Sequence, residues 1–372
     1  MKFQEFMDDC RARQTKNSYF AAMRILIDTI YGRKISQRIE TEEGRKLYIN
    51  LIDNYLEQDR NFFADLNDYR ERLRDKAPKT VRSYMYNCRS VIETCAKYNF
   101  TKEKQRKFTG LVRGTKKAIT QDAVINHNDI RKIVAHSTIP VRAAIMTMAT
   151  SGLRIGEILG LKLHDVDFEK RIIYITENVS KTDESRTTFF SAEAGEILNI
   201  WLKFRPTYMK MVQAQCQYIR PHYDENDDRL FPMSDSSLRK GIGISIKNAG
   251  LRELDRRTKR CTITPHSFRK WYITQLKNVM NPDSVEEMAG HELAYGGAYH
   301  RKTVQELEKE YRKHEKVLYI GSDEGMRNTL EAVGSDISAL QMRNEYLERE
   351  MQQMKETIIQ MALNQAGLIK QE

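Results

Sequence analysis

Arg154, Lys181, His266, Arg269, His291 and Tyr299, all in the second half of this 372-residue chain, form a set able to work on a phosphodiester. Arginine presents a planar fork of N–H donors that matches two non-bridging phosphate oxygens. Imidazole and ammonium groups hold or move a proton, and a tyrosine hydroxyl can attack phosphorus. His266 and Arg269 lie three residues apart in HSFR, so on a helix they share one side and can approach one phosphate together. That chemistry needs no cofactor. His266, His291, His300 and Glu292 fit no common zinc spacing such as HExxH, and the cysteines do not join them, so no metal is expected.

The elements that must position these groups are mostly helical. Tyr19, Met23, Leu26, Ile27 and Ile30 mark one apolar stripe, and further helices are expected around 47–56 and 62–73. After Pro78, the residues Val81, Met85, Cys88, Val91, Ile92 and Cys95 recur at steps of three and four, completing a helical bundle. Residues 101–120 follow with seven cations, Lys102, Lys104, Arg106, Lys107, Arg113, Lys116 and Lys117, against Glu103 as the single acid. They read as a basic linker suited to tracking a phosphate backbone.

From Asn126 the pattern mixes helix and strand. Two helices are expected in 127–137 and 141–151, the second closed by Gly152, a residue free to adopt a left-handed conformation. RIIYIT and RTTFF flank NVSKTDES and predict a strand, a polar turn carrying Lys181, and a second strand. In the last segment Leu330, Ile337, Asn344, Met351, Ile358 and Gln365 repeat every seven residues. Val333, Leu340, Leu347, Met354, Met361 and Leu368 fill a second seam, which predicts a self-associating coiled coil. The fold class is therefore mainly α with a small β-hairpin (α+β).

Composition narrows the partners. Sixty-two Lys and Arg against 51 Asp and Glu give a net charge of +11, which favours an anionic partner, most economically nucleic acid. Five dispersed cysteines without a CxxC pair do not make a disulfide framework and fit a reducing cytoplasm. No apolar run approaches the roughly 20 residues of a bilayer span, and the amino terminus does not read as an export signal.

Three segments, TSGLRIGEILGLKLHDVDF, TPHSFRKWYITQL and EMAGHELAYGGAYHRK, together resemble the tyrosine recombinase or phage integrase family. The order Arg, Lys in a hairpin, His-x-x-Arg, Gly-His, Tyr is that family's order. The resemblance implies a helical core-binding domain that clamps DNA (1–112), a catalytic domain (113–325) and, added here, the coil (326–372). It implies Arg154 and Arg269 as phosphate ligands, Glu157 as the acidic support of Arg154, Lys181 as the proton donor to the leaving 5′-oxygen and His291 steadying the phosphate. His266 would accept or orient the tyrosine proton. The family's usual spacing puts the nucleophile at His300; Tyr299, one place earlier, is the first candidate and Tyr311 the alternative.

The implied activity is site-specific recombination of double-stranded DNA through a 3′-phosphotyrosine, integrating or excising a mobile element. The resemblance further implies a tetramer on paired sites, assisted by the coil, in the cytoplasm at the nucleoid. Two other readings share the residues: a type IB topoisomerase-like enzyme without strand exchange, and a catalytically silent DNA-binding or coiled-coil scaffold.

Overall fold

The structure, a computed structural model, describes residues 1–10, 13–32, 41–112, 122–177, 185–216, 226–256, 258–291, 302–321, 346–347 and 349–359. Lys181, Arg113, Lys116, Lys117, Tyr299 and most of the heptad segment lie outside these residues. The chain divides into two compact units, Met1–Gln121 with Arg256–Thr258, and Asp122–Asp255 with Lys259–Glu372.

The first unit contains six helices among the described residues: α1 (Phe3–Asp8), α2 (Arg13–Ile30), α3 (Glu42–Leu56), α4 (Phe62–Arg72), α5 (Pro78–Cys95) and α6 (Lys102–Leu111). The apolar stripes of α2 and α5 meet in the core, with Met23, Leu26 and Ile27 buried on one and Met85, Cys88 and Ile92 on the other. Side-chain oxygens of Thr41, Asn61 and Thr101 start α3, α4 and α6 by accepting otherwise unpaired amide N–H groups. The stretch expected as a basic linker is corrected over 102–111, which is helical. Phe108 is fully buried in the bundle, and Lys102, Glu103, Arg106 and Lys107 form its solvated face. One aromatic anchor outweighs the charge run because a helix keeps its cations in water while burying the ring.

The second unit is built around α8 (Ile139–Ser151), which is buried on all sides and packs against α10 (Ala192–Cys216) and α12 (Pro265–Lys277). Its hydroxyls survive burial by bonding back to the preceding turn: Thr147, Thr150 and Ser151 donate to the carbonyls of Ala143, Met146 and Thr147 at 2.6–2.8 Å. Around it lie α7 (His127–Ala135), α9 (Ile155–Gly160), α11 (Asp235–Asn248), α13 (Pro282–Ala289) and α14 (Val304–His314). An antiparallel sheet in the order β1 (Val166–Asp167), β2 (Ile172–Ile175), β3 (Arg186–Phe189) includes the expected hairpin. Its register sets Ile172 opposite Phe189 and Ile175 opposite Arg186.

After α14 the chain is tied down. Glu315 accepts from Arg171 at 2.9 Å, and the N–H groups of Ile320 and Gly321 donate to the Glu193 carboxylate at 2.8 and 2.6 Å. Arg131 Nε donates to Ile320 O at 2.8 Å. Farther on, 346–347 and 349–359 are helical, with Leu347, Met351, Met354 and Ile358 between 44% and 64% exposed. Among the described residues no helix is long and apolar enough to cross a membrane.

Candidate active site

An α-helix leaves its last carbonyls without helical partners. At the end of α8 three consecutive ones are met by three different elements. Tyr311 Oη on α14 donates to Thr150 O at 2.7 Å, Thr188 Oγ1 on β3 donates to Ser151 O at 2.8 Å, and Arg269 Nη1 on α12 donates to Gly152 O. Gly152 itself has φ +69°, and a Cβ there would lie 2.5 Å from the Tyr272 ring, so glycine is required on both counts.

The end of α13 is capped in the same manner. Gly290 turns the chain with φ +67°, and a Cβ would meet the Arg186 guanidinium at 2.7 Å. Arg186 Nε donates to Met288 O at 3.1 Å, Arg269 Nη2 to Ala289 O at 2.5 Å and Arg154 Nη2 to Gly290 O at 2.9 Å. Arg269 thus bridges two helix ends. Both are C-termini, where the helix dipole is negative and favours cations. Three arginines converge there despite their mutual repulsion.

Glu157 supplies the compensating charge. Its carboxylate, 2% exposed, accepts from Arg154 N and Nη1 at 2.8 Å each and from Arg186 Nη2 at 2.7 Å. Burial alone raises a carboxyl, but the hydrogen bond and charge of Arg186, with those of Arg154, hold Glu157 below the ordinary carboxylate value. It is an orienting group with its oxygens occupied.

Of the five N–H donors of a guanidinium, Arg154 and Arg269 each commit two to protein oxygens, leaving the rest for an anion. The Arg154 side chain is 26% exposed, whereas Arg269 is buried. Arg269 Nε and Arg186 Nη1 are buried without a partner among the described residues. Burial first, then the charge of Arg154, pushes the Arg269 guanidinium down to about 10, so it stays charged at neutral pH.

His266 stands on the first turn of α12 with its ring at the surface. Partial burial, then Lys270 and Arg269, lower its pKa and favour the neutral ring that a proton acceptor needs. His291, one residue past the Gly290 turn, holds the Glu286 carboxylate through Nδ1 and donates its backbone N–H to Glu286 O at 3.0 Å. The structure therefore gathers Arg154, Glu157 and Arg269 directly, with His266 and His291 at their borders. Lys181 falls between β2 and β3, and Tyr299 between His291 and Lys302, both outside the described residues.

Tyr311, the alternative nucleophile, is a core residue. Its ring is fully buried 5.5 Å from that of Phe189, its hydroxyl caps α8, and burial raises its pKa well above the ordinary phenol value. Sequence reading missed Arg186, whose spacing from Arg154 and Glu157 gives no local periodicity. Its one signal is a cation opening the β-branched and aromatic run RTTFF.

The basic residues of α6 belong to the first unit. Lys107 pairs with Glu103 at 2.7 Å, and Lys104 Nζ donates to Tyr98 Oη at 2.8 Å, while Lys102 and Arg106 stand on the same short helix.

Residues 123–296, which carry both helix ends and both arginines, match the model of the phage integrase family. Over those residues this chain is similar to that family. Among its relatives, a tyrosine recombinase XerC of Lactobacillus leichmannii is 26% identical over 186 residues, 48% of this chain and 55% of that protein. A tyrosine recombinase XerA of Thermococcus onnurineus is 26% identical over 196 residues, 51% of this chain and 61% of that one. The chain thus spans little more than half the length of the curated relatives it matches. Among solved structures, a lambda integrase (75–356) dimer bound to a COC′ core site is 14% identical, covers 77% of this chain and 98% of its own, and has a TM-score of 0.43.

Proposed function

We propose that this chain is a site-specific DNA recombinase that cuts and rejoins duplex DNA through a 3′-phosphotyrosine, and so integrates or excises a mobile element. The observation that carries the reading is the pair Arg154 and Arg269, fixed on neighbouring helix ends with donors to spare, inside a phage integrase family segment. A phosphodiester is protected by its negative oxygens, and two preorganised guanidinium groups neutralise the charge that grows on them in the transition state.

The tyrosine hydroxyl, assigned to Tyr299, attacks phosphorus and its proton passes to neutral His266. The bond from phosphorus to the 5′-oxygen breaks, that oxygen takes a proton from Lys181, and His291 steadies the phosphate. The reverse attack by the 5′-hydroxyl of another strand restores a phosphodiester, so rejoining needs no ATP. The first unit, with Lys102, Lys104, Arg106, Lys107, Arg113, Lys116 and Lys117, holds the backbone of the double-stranded DNA. That contact makes binding strongly salt-dependent. Strand exchange needs four sites together, hence a tetramer on paired sites gathered with the help of the C-terminal coil, working in the cytoplasm at the nucleoid.

A nicked suicide duplex containing the target site tests the chemistry. Wild-type protein is expected to trap a covalent adduct that maps to Tyr299, and Arg154→Lys or Arg269→Lys to slow its formation by about a hundred- to a thousandfold. A wild-type protein that forms no adduct on its own site leaves the silent scaffold as the correct reading. Holliday-junction resolution separates recombinase from topoisomerase.

A further inference from the structure

After the contacts at Ile320 and Gly321, residues 346–347 and 349–359 are helical, and among the described residues their apolar side chains are largely exposed. Leu347, Met351, Met354 and Ile358 fall on successive seam positions of one heptad register, and Leu347, the least open of them, is 44% exposed. A single helix of this length is marginal in water, and an exposed apolar row adds to its cost. We propose that this helix pairs with the same helix of a second copy of the chain, as a two-stranded, parallel, in-register coiled coil. The pairing goes beyond the DNA chemistry and stands without it.

Charge complementarity identifies the occupant. Beside the seam, Glu350, half-buried and accepting from Tyr346 Oη at 2.9 Å, holds the g position, and the exposed Lys355 holds the e position. In a parallel pair in register, g of one helix meets the following e of the other, so Glu350 faces the partner's Lys355, and twofold symmetry makes the contact twice. The sequence carries the same complementarity one heptad earlier, with Arg343 at g and Glu348 at e.

Polarity and strand number come from a different residue. An antiparallel pair can also match the charges, setting Glu350 against the partner's Arg343. It then opposes seam positions a and d, placing Asn344 against the partner's Met354 with a buried amide unpaired. The parallel arrangement sets Asn344 on its own copy, where the two amides bond each other. A lone asparagine at an a position together with a β-branched residue at another, here Ile358, favours two strands.

Light scattering and sedimentation on the full chain without DNA test the proposal independently of adduct formation. Twice the chain mass is expected. Glu350→Lys creates two like-charge contacts and should weaken the dimer on the order of tenfold, and adding Lys355→Glu should restore it. Ile358→Cys should give a covalent dimer on oxidation that the wild type does not give, because 358 faces 358 only in the parallel register. A monomer, a trimer or a tetramer in the mass measurement overturns the pairing. So does a dimer indifferent to Glu350→Lys, and an Ile358→Cys protein that does not crosslink overturns the parallel register.

Discussion

Arg186→Gln isolates the residue that joins the hairpin to both helix ends. In the folded chain its guanidinium serves Glu157 and the Met288 carbonyl while filling the space beside Gly290. Removing it leaves Glu157 with Arg154 as its one ion pair, in a site where both Arg186 and Glu157 side chains are under one-tenth exposed. Breaking a buried pair in this way costs about 3–5 kcal/mol. For a domain of roughly 150–250 residues each kcal/mol moves Tm by about 2–4 °C, so the second unit should melt about 6–20 °C lower. The variant also removes the hydrogen bond and charge of Arg186, the largest influences that hold Glu157 down against burial, so its carboxyl is depressed less. In the wild type the depressed carboxyl contributes stability above its unfolded pKa of about 4.3, and that contribution is lost as pH falls through the folded value. The deficit of Arg186→Gln is therefore largest at neutral pH and narrows on acidification. Calorimetry at pH 7 and at about pH 3, below the unfolded carboxyl value of about 4.3, measures both effects. A variant that melts within 2 °C of the wild type at about pH 7, or whose deficit grows in acid, refutes the account.

Tyr311→Phe removes the cap on Thr150 O and should cost about 1–3 kcal/mol in urea unfolding, while covalent-adduct formation persists. Tyr299→Phe should do the opposite, and a Tyr311→Phe protein that forms no adduct while remaining folded would reverse the assignment. Gly152→Ala meets left-handed strain of about 1–3 kcal/mol and a similar overpacking cost against Tyr272, read as a fall in Tm. His266 has its pKa lowered by burial and by its cationic neighbours, so the adduct rate should stay nearly level from pH 8 down to about 6.5, where an ordinary imidazole would be half protonated. A rate that halves near that pH contradicts it.

What the sequence discloses and what it withholds divide along range. Arg154, His266, Arg269 and His291 are legible because each sits in a short segment with its own signature, and Gly152 because a glycine after an apolar helix is a local stop signal. The strands of the hairpin follow from β-branched runs of similar length. The two-residue β1 has no such run and is defined by pairing alone. Arg186 is illegible because its partners, Glu157 and Met288, lie 29 and 102 residues away. Tyr311 is ambiguous in sequence for a related reason: a hydroxyl that can attack phosphorus can also cap a helix, as its bond to Thr150 O does here. Across 102–111 six charged or amide side chains hide the one ring, Phe108, that makes the segment part of the bundle.

The attachment at Ile320 and Gly321 has a mechanical meaning. A pull arriving along the tail reaches the second unit first at the Glu193 carboxylate, and then at Arg131, which grips the carbonyl of Ile320. Both residues are rooted in helices other than α14, at the start of α10 and in α7. Tension is thus passed sideways into the body of the domain before it can travel back along the chain to Tyr311 and the end of α8. The two contacts stand between Gly321 and the helix end on which Arg269 rests.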